Sequence, residues 1–281
     1  MRQFLLFTLC LSLSAALSGC PDKRGDEPDD LSLGREHMLN RDFMEAEKSF
    51  ERYLRVNTNG KYRWEAWNEL VELALNVRHD RNAAIELLLA MRQEYETLLE
   101  SGSVAADPAQ TEQLRSHRRL ILDRLAYQYE QSRHYEGALD LWGSLIKDPE
   151  APPLQKAESL RNLARIYLRR LEFESSRDVL ALCAEMEIPQ SAKFECQYDL
   201  ADLYMIMGDM DAGIRTLRGL LEQGNMDDDK RVLSIFMLAD ALEQQGNRES
   251  ALGLFETIRF SYPNARVVET RIEYLKNSRK E

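Results

Sequence analysis

The sequence predicts an all-α protein, a solenoid of about six helical hairpins closed by a C-terminal capping helix. Three observations carry this expectation. A small residue recurs at Ala46, Ala83, Ala138, Ser176, Gly213 and Ala251, at intervals of 37, 55, 38, 37 and 38 residues. A large apolar residue stands four positions after each: Phe50, Leu87, Trp142, Leu180, Leu217 and Phe255. A leucine stands thirteen positions before each: Leu33, Leu70, Leu125, Leu163, Leu200 and Leu238, with a small residue next at Gly34, Ala126, Ala164, Ala201 and Ala239. Small residues let two helix backbones approach and large ones fill the space beside the contact, so each unit reads as a helical hairpin. An irregular helical bundle would mimic a repeat only by keeping such intervals without a repeat's reason for them.

The chain's 281 residues are 44% hydrophobic and 30% charged, a composition that can bury a core. Its net charge of -11 argues against a nucleic-acid partner, because phosphate binding relies on clustered positive charge.

Residues 1–19 read as an export signal. Arg2 precedes an uncharged run of 14 residues from Phe4 to Leu17, short of the roughly 20 that span hydrocarbon. Leu17-Ser18-Gly19-Cys20 then resembles the lipobox of bacterial lipoproteins. That resemblance implies cleavage before Cys20, a thioether-linked diacylglycerol on its sulfur and acylation of the new amino terminus. An ordinary cleaved signal that ends in a cysteine is the alternative. Residues 20–30 contain no large apolar side chain and should form a flexible acidic tether. Loss of Arg2 takes the net charge of -11 to -12, so an anionic membrane would repel the body and lipid must do the anchoring. Pro21 leaves inner and outer membrane both open, with the outer preferred.

From residue 31 to 281 the repeats follow in order. Turns such as Met207-Gly208-Asp209-Met210 and Gln245-Gly246-Asn247-Arg248 join the two helices of a unit. The pattern resembles the tetratricopeptide repeat (TPR), a helix-turn-helix unit that stacks into a right-handed superhelical solenoid. The sixth unit carries the resemblance through Leu238, Ala239, Leu242, Gly246, Ala251, Phe255 and Pro263, and the third through Leu125, Ala126, Tyr129, Tyr135, Ala138 and Trp142. Ser176 and Gly213 depart from the usual alanine. Val267 to Asn277 should cap the open end.

The long interval lies between the second and third anchors. Met91 to Glu100 continues a helix, Gly102 can stop it, and Asp107-Pro108 opens the next with an N-cap and a first-turn proline. Residues 91–118 therefore read as an extended hairpin, either a docking finger or an inert elaboration.

His37, His79, His117 and His134 are too far apart in sequence to pair as ligands on one helix, and no phosphate loop, nucleophile elbow or paired-cysteine metal motif occurs. No metal site, catalytic group or cofactor is expected. Asp227-Asp228-Asp229 reads as a solvated turn before a helix. Cys183 and Cys196 flank the Ile188-Pro189-Gln190 bend at similar distances, so on antiparallel helices they can form a disulfide in an oxidising compartment; two buried thiols are the alternative.

In TPR solenoids the first helices line a concave face where ligands commonly lie. The resemblance places Asn68, Glu72, Asp123, Tyr127, Arg161, Arg165, Tyr198, Asp202, Phe236 and Asp240 on that face, suited to a peptide through stacking and ion pairing. Arg161 and Arg165, one helical turn apart, either grip a partner's carboxylate or pair internally with Glu158 or Asp202. The expectation is a non-catalytic interaction scaffold or adaptor, lipid-anchored and facing the periplasm, whose partner is an envelope protein or peptide segment. The barrel-assembly lipoprotein, pilotins and protease adaptors share this layout. An envelope enzyme or small-ligand binder using the same groove is the alternative. Oligomeric state is not legible.

Overall fold

The computed structural model describes residues 29–101, 107–224 and 226–277. The expected signal segment, Cys20 and most of the tether lie outside these residues. Every regular element among them is helical, with thirteen α-helices and one π-helical turn. No helix of the described residues is long and apolar enough to cross a membrane.

The chain divides into two compact units, the first ending at Leu73. It holds α1 (Asp29–Leu39), α2 (Phe43–Val56) and α3 (Arg63–Glu72), with α2 packed on both neighbours. Leu31, Ala46, Phe50 and Ala66 are fully buried there. Gly34 is required by close approach, since a Cβ on it would sit 2.5 Å from the Phe50 ring. Leu33 departs from the expected pattern, being 37% exposed. No described helix precedes α1 to cover that face.

The second unit runs from Ala74. It contains α4 (Arg81–Glu100), α5 (Pro108–Gln131), α6 (Tyr135–Lys147), α7 (Pro153–Arg169) and α8 (Phe173–Glu185). There follow α9 (Gln190–Ile206), α10 (Met210–Glu222), α11 (Asp228–Gln244), α12 (Arg248–Thr257) and α13 (Ala265–Asn277). Each helix packs on the next along the chain, and α9 also touches α7 and α11. The core of this unit is strung along these contacts, from Leu88 and Trp142 to Phe255. Val268, Ile272 and Leu275 of α13 close its far end against the cluster that holds Phe255 and Ile258.

The turns within pairs share one conformation. Arg41, His79, Arg133, Leu171, Gly208 and Gly246 all have positive φ, the left-handed conformation that ends a helix. In five of the six, the next amide donates to the carbonyl five residues back: Asp42 to His37, His134 to Tyr129, Glu172 to Tyr167, Asp209 to Tyr204 and Asn247 to Leu242. Asp209 and Asn247 then cap the following helices by accepting from the backbone of Ala212 and Ser250.

The sixth turn corrects the sequence register. Here the Asp80 amide reaches six residues back, to Ala74, because α3 runs on into a π-helical turn, Leu73–Val77, which takes up one extra residue. The second anchor and its partner are displaced by one. Ala84 and Leu88 are the fully buried pair, and Ala83 and Leu87, expected in that role, are only half-buried. With Ala84 as the anchor the intervals become 38, 54, 38, 37 and 38. The left-handed residue then stands five before the anchor in all six pairs.

The two departures at the anchor are accommodated differently. Ser176 is 1% exposed, and its hydroxyl donates to the Ala164 carbonyl at 2.9 Å. Gly213 lies against the Ala201 carbonyl and Met205, where a Cβ would be 3.3 and 3.2 Å away.

The long interval becomes long helices. α4 has 20 residues and α5 has 24; Asp107 caps α5 by accepting from Ala109, and Pro108 takes its first position. Gly102 and the tip, residues 102–106, lie outside the described residues. Arg119, 4% exposed, holds Glu112 at 2.6 Å within the extension. Arg115 reaches Glu150 at 2.6 Å, tying the extension to the segment between α6 and α7.

Candidate protein-binding groove

The expected groove residues fall into four groups. Asn68 and Glu72 are on α3 of the first unit, where the Asn68 amide donates to the Trp64 carbonyl at 2.6 Å. Asp123, Arg161, Arg165 and Asp202 line one open cavity of 530 Å³ on the α5, α7 and α9 faces of the second unit. Glu158, Asn162, Ser176 and Asp199 complete its polar wall, and Leu168, Leu180 and Leu203 its apolar side. Tyr127, 49% exposed, is on α5 one turn beyond Asp123.

Tyr198, Phe236 and Asp240 make contacts within the chain. Tyr198 stacks on Phe194 with ring centres 5.6 Å apart. Burial and then the nearby Asp202 push its phenol up to about 12. Phe236 stacks on Tyr262 at 4.4 Å and meets Phe255 edge-on at 5.5 Å. Its ring face, expected to be offered to a peptide, is already covered. Asp240 is bound by Arg271 of α13.

The arginine pair is occupied from inside the chain, by partners other than Glu158 and Asp202. Arg161 donates from Nε to Asp199 at 2.6 Å and from Nη2 to Glu195 at 3.4 Å. Arg165 binds Glu130 through two parallel bonds of 2.8 and 2.6 Å, the fork geometry that guanidinium and carboxylate share. Arg169 adds a contact to the same carboxylate at 2.8 Å, and the Glu130 side chain is fully buried. This hydrogen bonding is the main reason the Arg165 guanidinium is held above its ordinary range. The Lys230 ammonium lies 3.1 Å from Glu195, and Arg271 also contacts Glu243 at 3.2 Å. The first helices of consecutive pairs are therefore laced by opposite charges one repeat apart.

Glu130, Glu195 and Asp199 were not singled out from the sequence. The signal that would have found them is opposite charge at one period: Glu130 and Arg165 are 35 residues apart, and Arg161 and Asp199 are 38.

The occupied arginines leave the cavity acidic. Among the described residues no cation bridges to Glu158 or Asp202. Asp202 is solvent-accessible, yet it stands in a cleft between helices; partial desolvation, then repulsion from Asp199, raises its carboxyl above the usual range. Asp123 accepts from the Trp142 indole at 3.0 Å. The Trp142 side chain is fully buried, so its N–H needs that acceptor. Among the described residues no three His, Cys, Asp or Glu side chains are grouped to hold a metal ion.

Below the cavity, Cys183 of α8 and Cys196 of α9 stand with Cα atoms 5.6 Å apart and sulfurs 1.98 Å apart. Ala157 and Leu160 pack around them.

The comparisons agree with this architecture. A search of curated proteins returned no match. Among solved structures, the chain is similar to the nearly identical TPR-like repeats of a Podosopora anserina protein described as a kinesin light chain. That match has a TM-score of 0.52 at 17% identity and covers 76% of this chain and 98% of the other. It is also similar to PilW, a widely conserved type IV pilus biogenesis factor, with a TM-score of 0.52 at 13% identity over 86% of this chain and 96% of that one. At such identities the likeness is one of fold. The model of the tetratricopeptide repeat family matches residues 31–105 and 198–266. With half of its length under that model and six helix pairs sharing one turn, the chain belongs to the tetratricopeptide repeat family.

Proposed function

We propose that this protein is a lipid-anchored interaction scaffold that holds a segment of an envelope protein against the α5, α7 and α9 faces. The observation that carries the reading is the open cavity of 530 Å³, with polar and apolar walls formed by three consecutive first helices and by Ser176 and Leu180 of α8. Such a surface binds through shape and placed polar groups. The attachment rests on the lipobox-like Leu17-Ser18-Gly19-Cys20 and the polar segment after it. Cys20 would carry the acyl chains, and the tether would let the repeats reach partners away from the bilayer. A non-catalytic role fits a site whose two arginines are paired with carboxylates of neighbouring helices.

The test is crosslinked copurification from native membranes, using the chain with Cys20 intact. Replacing Arg161 or Arg165 would be a poor probe, because it frees the chain's own Asp199 or Glu130. Asn162→Trp fills the cavity without touching the ion pairs. A stoichiometric envelope protein lost from the Asn162→Trp sample supports the reading; unchanged recovery removes the cavity from it.

A further inference from the structure

We propose that the cavity selects a segment that presents a lysine or arginine side chain, received by Glu158 or Asp202. This rests on the groove reading above and reverses the sign of the partner that the arginine pair suggested. Four carboxylates and two guanidiniums belong to the lining. Arg161 is held by Asp199 and Glu195, and Arg165 by the buried Glu130. A partner's carboxylate would compete with these bonds, and at Glu130, whose side chain is fully buried, displacing the arginine leaves an uncompensated charge, the costly outcome. A cation displaces nothing. Glu158 and Asp202 each offer it a carboxylate with no bridging partner among the described residues, and at Asp202 it relieves the repulsion from Asp199.

The arrangement suits a side chain better than a free ion, because no three carboxylates among the described residues are grouped to coordinate one. Leu168, Leu180 and Leu203 provide an apolar wall for the methylene stem of such a side chain, with the charged head directed to the carboxylates. The whole chain carries -11, so long-range steering favours the same sign of partner.

The probes are short fluorescent peptides of one length with a Gly-Ala background, carrying lysine, glutamine or glutamate at alternate positions. Binding to the full chain is read by anisotropy. The lysine series should bind at least about tenfold more tightly than the glutamate series, as a charge-assisted hydrogen bond allows. The pair Glu158→Gln with Asp202→Asn should remove that preference, while the exposed pair Asp140→Asn with Asp229→Asn leaves it intact. Equal binding of the three series, tighter binding of glutamate, no lysine binding, or a loss shared by both variant pairs overturns the proposal. Asn162→Trp separates the two readings: if it abolishes binding that shows no charge preference, the groove stands and the cation preference falls. If it leaves all binding unchanged, the groove falls as well.

Discussion

Two glycines of one hairpin should respond to the same substitution with opposite signs. Gly208 lies in the turn between α9 and α10 at φ +81°, and Gly219 lies within α10; a Cβ added at either meets no atom within 4 Å. Packing therefore contributes nothing to the difference, and backbone conformation decides it. At Gly208 an alanine is forced into the left-handed region, which costs about 1–2 kcal/mol. The smaller entropy of its unfolded chain returns about 0.4–1 kcal/mol, so Gly208→Ala should lose roughly 0.5–1 kcal/mol. At Gly219 the backbone is helical, so alanine has only the advantage, about 0.5–1 kcal/mol. The two variants should differ by about 1–2 kcal/mol. Urea unfolding followed by helical circular dichroism reads this as midpoints moving in opposite directions at equal slope. Midpoints moving the same way would refute the shared turn conformation on which the register of the repeats rests.

Other changes test different parts of the structure. Gly34→Ala should destabilise the first hairpin by about 1–3 kcal/mol, because the buried Phe50 ring must move, and faster amide exchange in α1 and α2 would register it. Replacing Cys183 and Cys196 with serine should cost roughly 3 kcal/mol if the pair is oxidised, and the unfolded wild-type chain should gain two thiols on reduction; equal counts before and after would remove the bond. Glu130→Gln should lose about 1–3 kcal/mol, a buried-pair cost reduced because its arginines are partly exposed; a double-mutant cycle with Arg165→Gln should show coupling. Asp202 has a raised carboxyl pKa, so its protonated form is favoured by folding. That contribution is present below the ordinary aspartate range and is lost as pH rises through the folded value. Asp202→Asn should therefore raise the melting temperature at neutral pH, where partial burial and then Asp199 disfavour the carboxylate, with the advantage shrinking toward pH 3. A constant advantage would count against the raised carboxyl and both of its causes.

Much of the fold was legible because close helix packing leaves a mark at every repeat: Ala46 under Phe50, Ala138 beside Trp142, Ala251 beside Phe255. The capped, proline-led start of α5 was legible for a similar reason, since Asp107 and Pro108 act locally. The second anchor was misplaced because a π-helical turn inserts a residue without changing composition; Ala83 and Ala84 are equivalent to any pattern, and only the Asp80-to-Ala74 bond distinguishes them. Leu33 failed because it stands on the first described helix, and no described helix precedes it to cover that face. At the candidate site, spacing brought Asp123, Arg161, Arg165 and Asp202 to one cavity. What spacing did not reveal is occupancy. Glu130 carries no local signal for its role, and it meets Arg165 only because α5 and α7 lie one repeat apart. Phe236 is an aromatic at a groove position whose face is taken by Tyr262, a contact made across the turn after α12.

The central claim is that a protein partner lies against α7 between α5 and α9. A photo-crosslinking amino acid at Asn162 of the anchored chain, activated in native membranes, tests it most directly. The account predicts that this position captures an envelope protein, and that the same group at the exposed Asp178 of α8 does not. Capture at Asp178 with none at Asn162 would contradict it.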